Sequence, residues 1–157
     1  MIEVYRSSVI AAPAQLVWAL IRDFNAMPDW NAAILSSAIE DGPADRIGCR
    51  RRLAFDDGSV WVHELTQLSD AEMTIGYAIV GTPPGTKLPM RDYRAVIRLE
   101  PVIDGDQCFI VWRATLETDQ EAAVRSRAQA VFQAGFDGLK RRFGASRLLK
   151  KSATDGR

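Results

Sequence analysis

Polar and apolar positions alternate along this chain in two different rhythms. Residues 2–10 (IEVYRSSVI) alternate with a period of two, which predicts a strand. From Pro13 the rhythm changes. Val17, Leu20, Ile21 and Phe24 recur at helical spacing, so a helix opening at Pro13 lays one face on a core. Asn25 suits the cap of a second short helix that ends near Trp30, with Pro28 in its first turn. The period of two then returns in residues 32–40, 46–55, 59–68, 73–80, 91–100 and 107–117. Turn chemistry separates these runs. Asp56-Asp57-Gly58 reads as a three-residue hairpin loop, and Asp104-Gly105 marks a second turn. Residues 81–89 (GTPPGTKLP) hold too much proline and glycine for regular structure.

The last rhythm is helical again. Thr118 and Glu121 fit a T-x-x-E capping box. Asp119 and Glu121 lie at the positive end of this helix, Lys140, Arg141 and Arg142 at the negative end, and Gly144 stops it. Its apolar stripe runs through Val124, Ala128, Val131, Phe132, Gly135, Phe136, Leu139 and Phe143. The order is strand, two helices, six strands, one long helix. Short turns between successive strands predict an antiparallel meander, and the long helix must cover its one apolar face. A small molecule fits the crevice between a helix and a curved sheet. The expected fold class is α+β, with one domain over residues 1–144 and a basic, frayed tail over 145–157.

Composition trims the function classes. The 157 residues suit one domain, and 20 Lys plus Arg balance 20 Asp plus Glu. A zero net charge argues against a dedicated nucleic-acid or anionic-membrane binder. The charge is uneven, however: residues 140–157 carry seven Lys or Arg against Asp155 alone. A solvated helix end explains that, and contact with an acidic partner or membrane surface is the alternative. No apolar run is long enough for a membrane span, and Glu3 and Arg6 interrupt any signal-peptide core, so a cytoplasmic protein is expected. Cys49 and Cys108 read as buried free thiols. With His63 as the one histidine, no zinc-ligand spacing exists, and neither a metal nor a cofactor is expected. Nucleophilic catalysis of the Ser-His or Cys-His kind has no G-x-S-x-G elbow to support it.

Strand alternation assigns the inward face. If Phe55 pairs with Ser59, Arg51 lies opposite His63 and Leu53 opposite Trp61. Cys49, Arg51, Leu53 and Phe55 then share a face with Trp61, His63 and Leu65, while Arg50, Arg52 and Glu64 face solvent. Tyr77, Ile79, Tyr93, Ala95, Ile97, Ile110, Trp112, Ala114 and Leu116 point the same way inward.

The stretch APAQLVWALIRDFNAMPDWN resembles the opening of the START-like (SRPBCC) superfamily, in particular its bacterial polyketide cyclase/dehydrase-like branch. The pieces GCRRRLAFDDG, LPMRDYRAVIRLE, VWRATLE and AGFDGLKRRFG extend the resemblance over about residues 3–144. The resemblance implies a helix-grip fold, with a seven-stranded antiparallel sheet gripping the last helix around an apolar cavity. It also implies an arginine at position 51 and a polar pocket residue at position 31, here Asn31. Relatives often carry a glutamate where this chain has His63, which replaces a fixed acid with a titratable ring.

Three functions compete. The first is a small-molecule carrier whose apolar or aromatic ligand touches Asn31, Arg51, Trp61, His63, Tyr77, Tyr93, Trp112, Val131 and Gly135. Arg51 and His63 would meet its polar end, the aromatic rings would stack on a flat body, and Gly135 would leave room. The second is a metal-independent cyclase or dehydratase, with His63 as acid/base and Arg51 and Tyr93 stabilising an enolate. The third is an interaction or quinone-chaperone module acting through the basic helix end. Residues 81–89 suit a lid over the cavity mouth. The plainer reading of Arg51 and His63 is a snorkelling arginine beside a satisfied histidine, and close helix–sheet packing explains Gly135 equally well.

Overall fold

The alternating runs assemble into one antiparallel sheet. A computed structural model describes residues 1–82 and 88–144. Its elements are β1 (Ile2–Ile10), α1 (Ala14–Ile21), α2 (Met27–Trp30), β2 (Ile34–Asp41), β3 (Arg50–Phe55), β4 (Val60–Ser69), β5 (Thr74–Gly81), β6 (Arg91–Val102), β7 (Gln107–Glu117) and α3 (Glu121–Phe143). The strand order is β1-β7-β6-β5-β4-β3-β2. Strands β2 to β7 form the meander, and β1 closes the far edge against β7. The chain therefore has the α+β helix-grip architecture, with α1 and α2 between β1 and β2.

The register follows the alternation. Arg51 pairs with His63 and Leu53 with Trp61. Phe55 N–H donates to the Ser59 carbonyl at 2.9 Å, which closes the hairpin around Gly58 at φ 86°. Ile110, Trp112, Ala114 and Leu116 are all buried on β7, while Arg113 between them is exposed.

Local contacts move several element ends. Asn31 Oδ1 accepts the Ala33 N–H at 3.1 Å, so the chain turns there and β2 begins at Ile34 rather than at residue 32. Strand β3 starts at Arg50, because residues 46–49 turn through Gly48 at φ 92° before joining the sheet. Asn25 does not cap α2. Its side-chain oxygen accepts from Ser37 Oγ at 2.8 Å, and Ala26 holds the cap position. The capping box on α3 is likewise not formed. Thr118 Oγ1 accepts from Gln120 N–H at 2.9 Å and donates to the Pro89 carbonyl at 2.6 Å, and Glu121 pairs with Arg125. The threonine thus ties the start of α3 to the segment before β6.

The two halves of α3 do different work. The C-terminal half fills the core: Phe132 stacks on Trp112 at 4.4 Å and 12°, and Phe132, Phe136 and Leu139 are fully buried. Gly138 lets the helix approach α2 closely, because a Cβ there would lie 2.0 Å from the Trp30 carbonyl oxygen. The N-terminal half stands further from β3–β6, and a space opens beneath it.

Candidate functional site

That space is a cavity of about 270 Å³ between the N-terminal half of α3 and the strands β3 to β6. Its walls are mostly apolar: Met27, Ile34, Phe55, Trp61, Ile79, Met90, Val124, Ala128 and Val131. His63, Tyr77 and Tyr93 line its buried end. Asp57, Ser59, Gln120 and Ala123 stand at the more exposed mouth. Arg127 of α3 crosses this mouth. Its guanidinium pairs with Asp56 at 2.8 Å and Asp57 at 3.3 Å, joining the helix to the β3–β4 loop.

Burial sets the chemistry of the deep end. Arg51 is 2% exposed and has no ion pair among the described residues. One guanidinium nitrogen donates to the Phe24 carbonyl oxygen, another lies 3.8 Å from Met27 Sδ, and the cation sits 3.9 Å above the Phe24 ring. The same Nη2 lies 3.1 Å from His63 Nδ1. Burial away from water pulls the Arg51 pKa down to about 10. Burial first, and the Arg51 charge second, hold His63 well below the ordinary imidazole range, so the ring is neutral at pH 7.

The phenols belong to the same cluster. Tyr77 stacks on His63 with ring centroids 4.5 Å apart and 13° between planes. Trp112 Nε1–H donates to the Tyr77 hydroxyl at 3.3 Å, and the Tyr93 ring stacks beside Tyr77 with centroids 6.5 Å apart. Burial pushes Tyr77 up to about 12 and Tyr93 well above its usual value. Both phenols therefore stay protonated through the neutral range. The deep end offers polar groups on uncharged rings, with the Arg51 charge one layer behind.

Five of the nine expected ligand residues come together on the cavity wall: Trp61, His63, Tyr77, Tyr93 and Val131. Four do not line it. Arg51 lies behind His63, held by the Phe24 carbonyl. Asn31 turns to the Val131 carbonyl at 3.0 Å and borders a separate polar cleft between α2 and the end of α3. Trp112 is a core residue packed between Trp30 and Phe132. Gly135 leaves no ligand space, because a Cβ there would come within 2.9 Å of both the Trp30 and Trp112 rings. The lid expected over residues 81–89 falls largely on 83–87, and the basic tail on 145–157. Both segments lie outside the described residues.

The mouth is not legible in the sequence. Arg127 and Gln120 lie beside the apolar stripe of α3, where a polar residue reads as solvated surface. Asp57 reads as turn chemistry, which it also supplies by accepting the Ser59 N–H at 2.9 Å. The pattern that finds Arg127 is its opposite charge to Asp56 and Asp57 once β3 is placed beside α3. Periodicity alone does not contain that pairing. Phe55 and Ile79 were legible as inward-facing, and Met27 and Met90 were not, since both lie at the ends of irregular segments.

Comparison with known proteins fits this geometry. The family described as polyketide cyclase / dehydrase and lipid transport matches residues 1–144. No curated protein sequence matches the chain significantly. Among solved structures, the protein XoxI from Bacillus cereus is 24% identical, covering 91% of this chain and 96% of that one, with a TM-score of 0.79. A protein from Nitrosospira multiformis is 27% identical over 90% of this chain and 96% of that one, with a TM-score of 0.78. Ara h 8.0201 shares the fold at 18% identity, covering 88% of this chain and 97% of that one, with a TM-score of 0.65. Among the described residues no helix is long and apolar enough to cross a membrane. Sequence match and architecture agree: the chain belongs to the polyketide cyclase/dehydrase and lipid transport family of the START-like superfamily.

Proposed function

We propose that this protein binds an apolar, flat small molecule in the cavity between α3 and β3–β6. The observation that carries the reading is the cavity itself: about 270 Å³, walled by apolar and aromatic side chains, with polar atoms gathered at its buried end. A preformed apolar space of this kind gains ligand affinity by removing apolar surface from water, at roughly 25 cal/mol per Å² before the costs of association. Ring faces on Trp61, Tyr77 and Tyr93 suit a planar partner.

Catalysis as a cyclase or dehydratase has weaker support. His63 would have to accept a proton beside the Arg51 cation, and both burial and that charge oppose it. Arg51 itself stands one layer away from any bound enolate. An interaction or quinone-chaperone role would rest on the basic helix end, from Lys140 onward, and leaves the cavity unexplained.

Native mass spectrometry of the purified protein, followed by organic extraction, tests binding. The expected result is a stoichiometric adduct, or uptake of the dye anilinonaphthalene sulfonate into empty protein. Val131→Trp fills the cavity from α3 and is expected to abolish either signal with helix and sheet content unchanged. Unaltered binding in that variant would place the ligand elsewhere, and a protein that takes up nothing in either form would overturn the reading.

A further inference from the structure

We infer that Arg51 is a positioning residue: it locks His63 as the tautomer with its proton on Nε2, so that the cavity's deep end selects ligands that present a hydrogen-bond acceptor, such as a ring ketone. This deepens the binding proposal and rests on it for the ligand, but not for the tautomer.

Arginine has five N–H donors and no acceptor. Its Nη2 lies 3.1 Å from His63 Nδ1, so that contact forms only if Nδ1 carries the lone pair. A neutral imidazole then bears its one proton on Nε2. That N–H has no hydrogen-bond partner among the described residues, on a ring that lines the cavity. Arg51 is itself fixed, by the Phe24 carbonyl and the Phe24 ring, and cannot swing away to satisfy another group. His63 is pinned from the other side by the Tyr77 ring at 4.5 Å.

Charge points the same way. No carboxylate pairs with Arg51 among the described residues, and its Nε atom is buried without a partner. The deep end therefore holds an uncompensated positive charge, relayed to the cavity through the polarised imidazole. The charged groups nearest the mouth, Arg127 with Asp56 and Asp57, neutralise one another to within a single negative charge and lie at the exposed end. An acceptor oxygen at the deep end gains from both the Nε2–H and the charge behind it. A ligand with only C–H groups there leaves the N–H unsatisfied.

His63 is the only histidine, so its two ring nitrogens can be assigned without ambiguity by nitrogen NMR. The expected spectrum at neutral pH has Nε2 protonated and Nδ1 as the lone-pair nitrogen. Arg51→Lys retains a donor and is expected to keep that pattern, whereas Arg51→Met is expected to give a mixture of tautomers. Binding is read with fluorenone and fluorene, flat molecules that differ by a carbonyl in place of a methylene. Wild type is expected to prefer the ketone by about tenfold, the value of one hydrogen bond to a neutral donor. His63→Phe is expected to bring the two affinities together while both still bind.

A proton on Nδ1 in wild type overturns the inference, as does equal affinity for the two compounds. If the tautomer is as stated and neither compound binds, the cavity-binding reading fails and the acceptor preference falls with it. Equal, tight binding of both leaves the cavity reading standing and removes only this one. If Arg51→Met fails to fold, Arg51→Lys and His63→Phe still decide between these outcomes.

Discussion

A buried neutral imidazole makes stability depend on pH in a direction that can be worked out. In the unfolded chain His63 takes up a proton near pH 6.5, but in the fold burial and Arg51 hold its pKa well below that. The unfolded state therefore binds more protons below pH 6.5, and stability falls as pH drops through that point. From pH 6.5 to pH 5 the loss from this one group is about 1–2 kcal/mol, provided the ring stays neutral in the fold. His63→Gln keeps an acceptor for Arg51 and does not titrate. Denaturant melts are expected to show wild type losing that much more stability than His63→Gln over this interval, and parallel curves contradict the assignment. Residue-scale reasoning from sequence reached the pairing of Arg51 with His63, because the Asp56-Asp57-Gly58 loop fixes the register. It did not reach the depth of Arg51. That depends on the Phe24 carbonyl: helical spacing assigns Phe24 to the first helix, but α1 ends at Ile21 and Phe24 lies in the irregular stretch before α2, where its carbonyl is free to accept from Arg51.

Element boundaries show where local chemistry overrides pattern. Helix α3 was legible throughout its apolar stripe, and so was its stop at Gly144, which takes φ 103°. Its start was not, because Thr118 spends its hydroxyl on Gln120 N–H and the Pro89 carbonyl rather than on a capping box. The two internal glycines of α3 carry the clearest prediction at this scale. On an exposed helix Gly→Ala stabilises by about 1 kcal/mol. At Gly138 the new methyl would lie 2.0 Å from backbone oxygen of Trp30, so the helix must move away from α2. Gly138→Ala is expected to destabilise by about 1–3 kcal/mol or more, the range for overpacking a filled site. Gly135→Ala meets two indole rings near 2.9 Å and is expected to follow the same sign. Thermal melts of the two variants decide it: a raised Tm for Gly138→Ala is incompatible with the close approach of α3 to α2.

At the scale of the whole molecule, one helix both seals the core and roofs a cavity. In its C-terminal half Phe132 and Phe136 pack on Trp112, and its N-terminal half is held over the mouth by Arg127 against Asp56 and Asp57. These side chains are about half exposed, so the pairs add little to stability, at most about 1 kcal/mol. Their effect lies in mobility. Arg127→Gln is expected to leave the Tm within a few degrees of wild type. It is expected to speed amide hydrogen exchange at Phe55 and Gly58, whose N–H groups close the β3–β4 loop. Unchanged exchange there means the loop is held by its own turn and not by α3. The meander and the gripping helix were legible because alternation and short turns leave few topologies open. The cavity's mouth was not, since it is made of residues that sequence pattern assigns to solvent.

Ligand is expected to enter beneath the N-terminal half of α3. Amide proton–nitrogen correlation spectra, recorded while fluorenone is titrated into the labelled protein, locate the bound molecule. Saturable shifts are expected at Ile34, Phe55, Trp61, His63, Tyr77 and Val131, with the core around Trp112 and Phe136 little changed. Shifts centred instead on the polar cleft at Trp30, Gly138 and Arg142, or scattered without saturation, would contradict binding there.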